Sequence, residues 1–122
     1  MAQRHLPLPE HLAKHGHKPL ALSLPLLRYW HSRLNYLLFR GKLGRINITY
    51  GESPGEVCGL YYPDQYEPRI HIDTRCRTRQ AILDTLAHEM VHQHQHKLGV
   101  PLTHGRLFKA FAKKAAKHGL TL

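Results

Sequence analysis

The sequence predicts a single α+β domain, and three observations predict it. Apolar residues recur at helical spacing in three separate stretches. Two short segments between the first two of these, Arg45 to Tyr50 and Arg69 to Asp73, alternate apolar and polar residues with period two, as half-buried strands do, and Val57 to Tyr62 follows a turn between them. At 122 residues, 42% of them hydrophobic, the chain can bury one modest core and no more. No apolar run approaches the length of a membrane span, and the N-terminus carries His, Pro and Lys where a secretory signal needs an apolar centre. An intracellular monomer with no membrane partner is therefore expected. Cys58 and Cys76 stand 18 positions apart with no C-x-x-C, which reads as buried or idle reduced thiols.

Residues 1–22 hold short Pro-interrupted pieces with His5, His11, His15 and His17 and no sustained period. They read as a poorly ordered basic arm, with at most a helical turn from Glu10 to Lys14. The domain proper is expected over 23–122. Leu26, Leu27, Trp30, Leu34, Leu37 and Leu38 define a helix with one core face, Pro25 fits its first turn and Gly41 ends it. Arg45 to Tyr50 alternates as a strand, Gly51 to Gly55 has turn composition, and Val57 to Tyr62 is the second strand, with Gly59 as a bulge. Arg69 to Asp73 is the third. Strand, turn, strand in succession predicts a three-stranded antiparallel meander. Arg79 to Leu98 then runs without Pro or Gly, with Thr78 placed as N-cap, and Gly99-Val100-Pro101 stops it. Thr103 can cap a last helix to about His118, with Leu107, Phe108, Phe111 and Ala115 on its core face.

The chemistry concentrates in Leu86-Ala87-His88-Glu89-Met90-Val91-His92. On a helix, histidines four apart share a face about 6 Å apart along the axis, where their ring nitrogens can converge on one tetrahedral metal ion. Glu89 lies about 100° round from His88, within reach of a water at that metal without being a ligand, which is a general-base position. With 12 His and 5 Glu in the chain, a chance H-E-x-x-H has odds of roughly one in twenty, so context decides. Ile82, Leu83, Leu86, Ala87, Met90 and Val91 supply that context as an apolar stripe at helical spacing.

A catalytic zinc needs a third protein ligand and an open position. The short connection after Leu98 makes the last two helices antiparallel, which returns His104 toward His92, and Gly105 lets the backbone come close there. His104 is therefore preferred over His71, which reads as a half-exposed strand residue. His94 points off the 88/92 face, and His96 lies about 12 Å along the axis from His88, too far to share its metal. Both read as surface residues. Asp84, one turn before His88, is a weak candidate for orienting a ligand imidazole. Tyr61, Tyr62 and Arg106 are conceivable oxyanion donors, each read first as core or surface.

Eighteen Lys+Arg against eight Asp+Glu give a net charge of +10 and a field that attracts polyanions. Arg106, Lys109, Lys113, Lys114 and Lys117 would form a basic face on the last helix. Two rivals to an enzyme follow: a basic nucleic-acid-binding module with a structural or vestigial zinc site, and a His-rich metal buffer.

With these elements in place the chain resembles the SprT-like metalloprotease domain, the Spartan-related group, from about Leu26 to Ala116. The similarity is carried by Leu34-Asn35-Tyr36-Leu37-Leu38-Phe39, Ile46-Asn47-Ile48, Gly59-Leu60-Tyr61-Tyr62 and Arg69 to Asp73. It is strongest in Leu83 to His92 and in His104-Gly105-Arg106-Leu107-Phe108. The resemblance implies a zincin-like fold, Zn2+ held by His88, His92 and His104, and Glu89 as catalytic base and acid. It also implies a protein substrate, in better-known members a protein on DNA. Many relatives continue into a cysteine zinc ribbon, for which this chain has no C-x-x-C pair, and only 11 residues separate His92 from His104.

Overall fold

The computed structural model describes residues 7–122 as four helices and one three-stranded sheet. They are α1 (Leu8–His15), α2 (Leu24–Phe39), β1 (Asn47–Gly51), β2 (Gly59–Tyr62), β3 (Arg69–Asp73), α3 (Arg79–Leu98) and α4 (Arg106–Ala116). The element that organises them is α3, which packs against β2, β3, α1, α2 and α4. Ile82, Leu83, Leu86, Ala87, Met90 and Val91 of α3 are fully buried, so the apolar stripe read from the sequence is the spine of the core. Its ends are set locally. The Thr78 hydroxyl accepts from the Ala81 N–H, and Gly99 closes the other end at φ 72°, a left-handed conformation that favours glycine.

The sheet is mixed, in the order β1-β3-β2, which corrects the expected antiparallel meander. β3 pairs parallel with β1, Ile48 beside Ile70, and antiparallel with β2, Tyr61 beside Ile70. The physical reason lies in β3 itself. Ile70 and Ile72 are wholly buried and take the central position, and the segment after β1 carries the chain past that position before β2 begins. Gly59 pairs with Ile72 inside β2 rather than forming a bulge. Its lack of a side chain serves a close approach, because a Cβ there would lie 2.4 Å from Thr85 Cγ2 and 3.3 Å from Glu89 Cγ.

The poorly ordered arm also needs correction from Leu8 onward. Leu8 and Leu12 of α1 are buried in the core, and Pro9 stands in the first helical turn, where no backbone hydrogen bond is lost. The segment after α1 is tied to the start of α3: Gly16 and Lys18 carbonyls accept from Gln80 N and Arg79 N, and Pro19 bridges Thr78. His11 is engaged by Arg79 Nη1 at 2.7 Å. Two turns of helix are too short to establish a period, which is why the segment read as irregular. His5 and the rest of Met1–Leu6 lie outside the described residues.

Cys58 and Cys76 are joined as a disulfide, with Cα atoms 5.6 Å apart, correcting the expected reduced thiols. Spacing in the chain carried no sign of this, because the pairing follows from β2 and the exit of β3 lying side by side. α2 ends one residue early, with Arg40 rather than Gly41 as the left-handed cap at φ 54°.

Candidate metal centre

His88 and His92 project from one face of α3, and the turn before α4 brings His104 to meet them. His104 Nε2 lies 3.1 Å from His88 Nε2 and 3.2 Å from His92 Nε2, and all three ligand atoms fall within 4.8 Å of one another. Ligands on a tetrahedral zinc with Zn–N of about 2.0–2.1 Å are spaced about 3.3 Å apart, so the nitrogens stand as a metal would hold them. The donor set, three imidazoles with no thiolate, suits zinc in an open site. His88 is half-buried, His92 buried and His104 exposed, so the cluster faces solvent on the His104 side.

Two of the rings, His88 and His92, are held toward the neutral form. Burial, with His92 and His104 adding to it, pushes His88 down to about 4, and burial likewise holds His92 below its usual 6.5. Each can therefore offer a lone pair near pH 7. Phe108 backs the cluster, its ring centroid 4.7 Å from His88, 5.4 Å from His92 and 4.7 Å from His104. The Phe of His104-Gly105-x-x-Phe108 is thus an apolar wall behind three imidazoles. The last helix starts two residues later than expected: Gly105 is its N-cap, and Thr103 accepts from Gly105 N instead of capping it. His104 stands just outside the helix, where a turn can swing it toward α3.

Glu89 is 6% exposed, and burial pushes its carboxyl up to about 7. It lines an open cleft of about 280 Å³ with Val57, Cys58, Gly59, Asp84, Thr85, His88 and Thr121. The close approach of β2 at Gly59 therefore shapes the wall beside the only acidic side chain next to the histidine cluster in sequence.

Other sequence candidates find different partners. Asp84 accepts from Gln80 Nε2 and from Thr121 N, tying α3 to the C-terminal segment instead of orienting an imidazole. Tyr61 shares a hydrogen bond with His96 Nδ1 at 2.7 Å, and Tyr62 lies under the Arg69 guanidinium. His71 Nδ1 bonds Thr49 Oγ1 on the sheet. His94 and His96 are half-buried rather than surface residues, His94 packing against Phe39 and Phe111. Lys114 leaves the basic face to donate to Leu38 O at the end of α2, while Arg106, Lys109, Lys113 and Lys117 stay exposed.

The residue that sequence reasoning missed is Gln95. It is 1% exposed, its Oε1 lies 2.8 Å from His92 Nδ1, and its Nε2 donates to Thr103 O at 2.9 Å. The signal available was its position three residues after His92, one turn along the same face. No curated protein matches the chain. A model of the SprT-like family matches residues 27–121.

Proposed function

The chain belongs to the SprT-like family, and on that premise we propose that it is a zinc-dependent metallopeptidase with a zincin-like arrangement of helix and sheet. His88, His92 and His104 would hold the metal and Glu89 would act as general base. The observation that carries this reading is the convergence of the three Nε2 atoms on one point beside a buried glutamate. When bound, zinc supplies Lewis acidity, which acidifies water and polarises a peptide carbonyl. The Glu89 carboxylate takes a proton from the attacking water as the carbon–oxygen bond forms. It returns that proton to the leaving amine as the carbon–nitrogen bond breaks, so no side chain need form a covalent intermediate. Phe108 closes the back of the histidine cluster to water, and exposed His104 leaves the front open to a substrate chain.

Cleavage of an unfolded protein substrate by the zinc-loaded protein tests the reading. Glu89→Gln should lower the rate by about 10²–10⁴-fold while the variant still binds one zinc per chain. Undiminished cleavage by that variant would exclude the assignment of the base.

Proteins associated with nucleic acid are the substrate class that the net charge of +10 and exposed Arg106, Lys109 and Lys113 on α4, with Lys117 at its end, favour. The same observations support the second reading, a basic nucleic-acid-binding module with a structural zinc. Affinity for DNA that falls steeply with salt supports an electrostatic interface, and DNA binding without any peptidase activity selects the second reading.

A further inference from the structure

We infer that Gln95 is a positioning residue for the metal site, fixing the tautomer of His92 and the approach of His104 through one amide. The inference rests on the reading of the three histidines as metal ligands. A primary amide has one accepting oxygen and one donating nitrogen, and which is which is decided here by a backbone group. Thr103 O can only accept, so the Gln95 atom 2.9 Å from it is the NH₂. The other atom, 2.8 Å from His92 Nδ1, is therefore the carbonyl oxygen, which can only accept. His92 must then carry its proton on Nδ1, which leaves the Nε2 lone pair directed at the point shared with His88 and His104.

The second bond acts on the third histidine. Thr103 immediately precedes His104, and the loop between α3 and α4 has mostly exposed residues, so it is not fixed by burial. Gln95 sits at 1% exposure on the rigid helix and holds that loop by its carbonyl. The same amide thus orders one imidazole on the helix and one on the loop, before any ion is present. Asp84, the acidic residue with suitable spacing, is already engaged by Gln80 and Thr121. The orienting role falls to a neutral side chain, which adds no charge behind the ligand.

Two measurements on the full chain test this. In the metal-free protein, long-range proton–nitrogen correlation spectra of the imidazoles, assigned with His92→Gln, should find His92 protonated on Nδ1. Protonation on Nε2 overturns the inference, and this readout needs no change at Gln95. Zinc affinity, measured by competition with a chromophoric chelator, should fall about 10–100-fold in Gln95→Met, which keeps the volume and loses both bonds. Gln95→Glu, which keeps an acceptor facing the ring, should lose less than Gln95→Met. A folded Gln95→Met that binds zinc as tightly as the parent overturns the inference. One-to-one zinc with His92 protonated on Nε2 removes the role of Gln95 and leaves the peptidase reading standing. The expected tautomer with one zinc and no cleavage does the reverse, and a chain that binds no zinc removes both.

Discussion

Gln93 and Gln95 stand two residues apart on α3, each buried, each joining a histidine to a backbone carbonyl. Gln93 Nε2 donates to Gly44 O at 3.0 Å, so its oxygen accepts from His31 Nε2 at 2.9 Å. Gln95 Nε2 donates to Thr103 O, so its oxygen accepts from His92 Nδ1. The chemistry is the same and the ring nitrogen differs. His31 has its outer nitrogen occupied and serves to lock α2 to α3 and to the loop before β1. His92 has its inner nitrogen occupied by the glutamine and keeps the outer one turned toward His104. The nitrogen that each glutamine takes leaves His31 joined to its neighbours through Nε2 and turns the Nε2 of His92 toward His88 and His104.

The largest expected effect that can break this comparison is at the cluster itself. His104→Ala should reduce zinc affinity beyond the roughly 10–100-fold expected for a residue that only supports a ligand, with helix content by circular dichroism unchanged. Zinc retention equal to the parent's would mean that the three rings do not act as one ligand set. Next in size, Gln93→Met should cost about 1–3 kcal/mol of stability by stranding Gly44 O and His31 Nε2, and leave zinc affinity where it was. Chemical denaturation and chelator competition on the same variant check it; a large loss of zinc affinity would mean that both glutamines serve the site.

The smallest effect is a pH dependence at His31. Burial lowers its pKa below 6.5, more than the Gln93 bond raises it. The unfolded chain therefore takes up a proton at a higher pH than the folded one, so stability rises with pH across the window beneath 6.5 and is lost as pH falls through it. Thermal unfolding of the metal-free protein should move to lower temperature between pH 7.5 and 5, and His31→Gln should flatten part of that decline. An identical slope in the variant would assign the acid sensitivity to other groups.

The long elements were legible because their pattern repeats over several turns. Sixteen residues in α2 and twenty in α3 let apolar spacing speak, and the i,i+4 pair with His104 after a short loop already implied a shared point. β1 and β3 were legible from alternation and β2 from the turns that flank it, and strand order was not, since a period of two states which face is buried and nothing about the neighbour. α1 was too short for its pattern to emerge from a segment with three prolines and four histidines in residues 1–22. Cys58 and Cys76 are neighbours only through the sheet. Gln95 was visible as a helix residue one turn from His92, but its meaning depends on where Thr103 O points, and that is tertiary information.

The position of β3 has a consequence for how the chain comes together. β1 and β2 form no ladder with each other, so each remains an open edge until residues 69–73 arrive between them. The β2–β3 pairing closes over residues 63–68 and the β1–β3 pairing over residues 52–68. The longer loop costs about 1 kcal/mol more in closure entropy, which favours a hairpin first and β1 joining it later. α3 follows β3 within a few residues and covers the face that Ile70 and Ile72 present. The helix that carries His88, Glu89 and His92 therefore covers the sheet that β3 has completed, and the cluster closes when the turn before α4 brings His104 back to it.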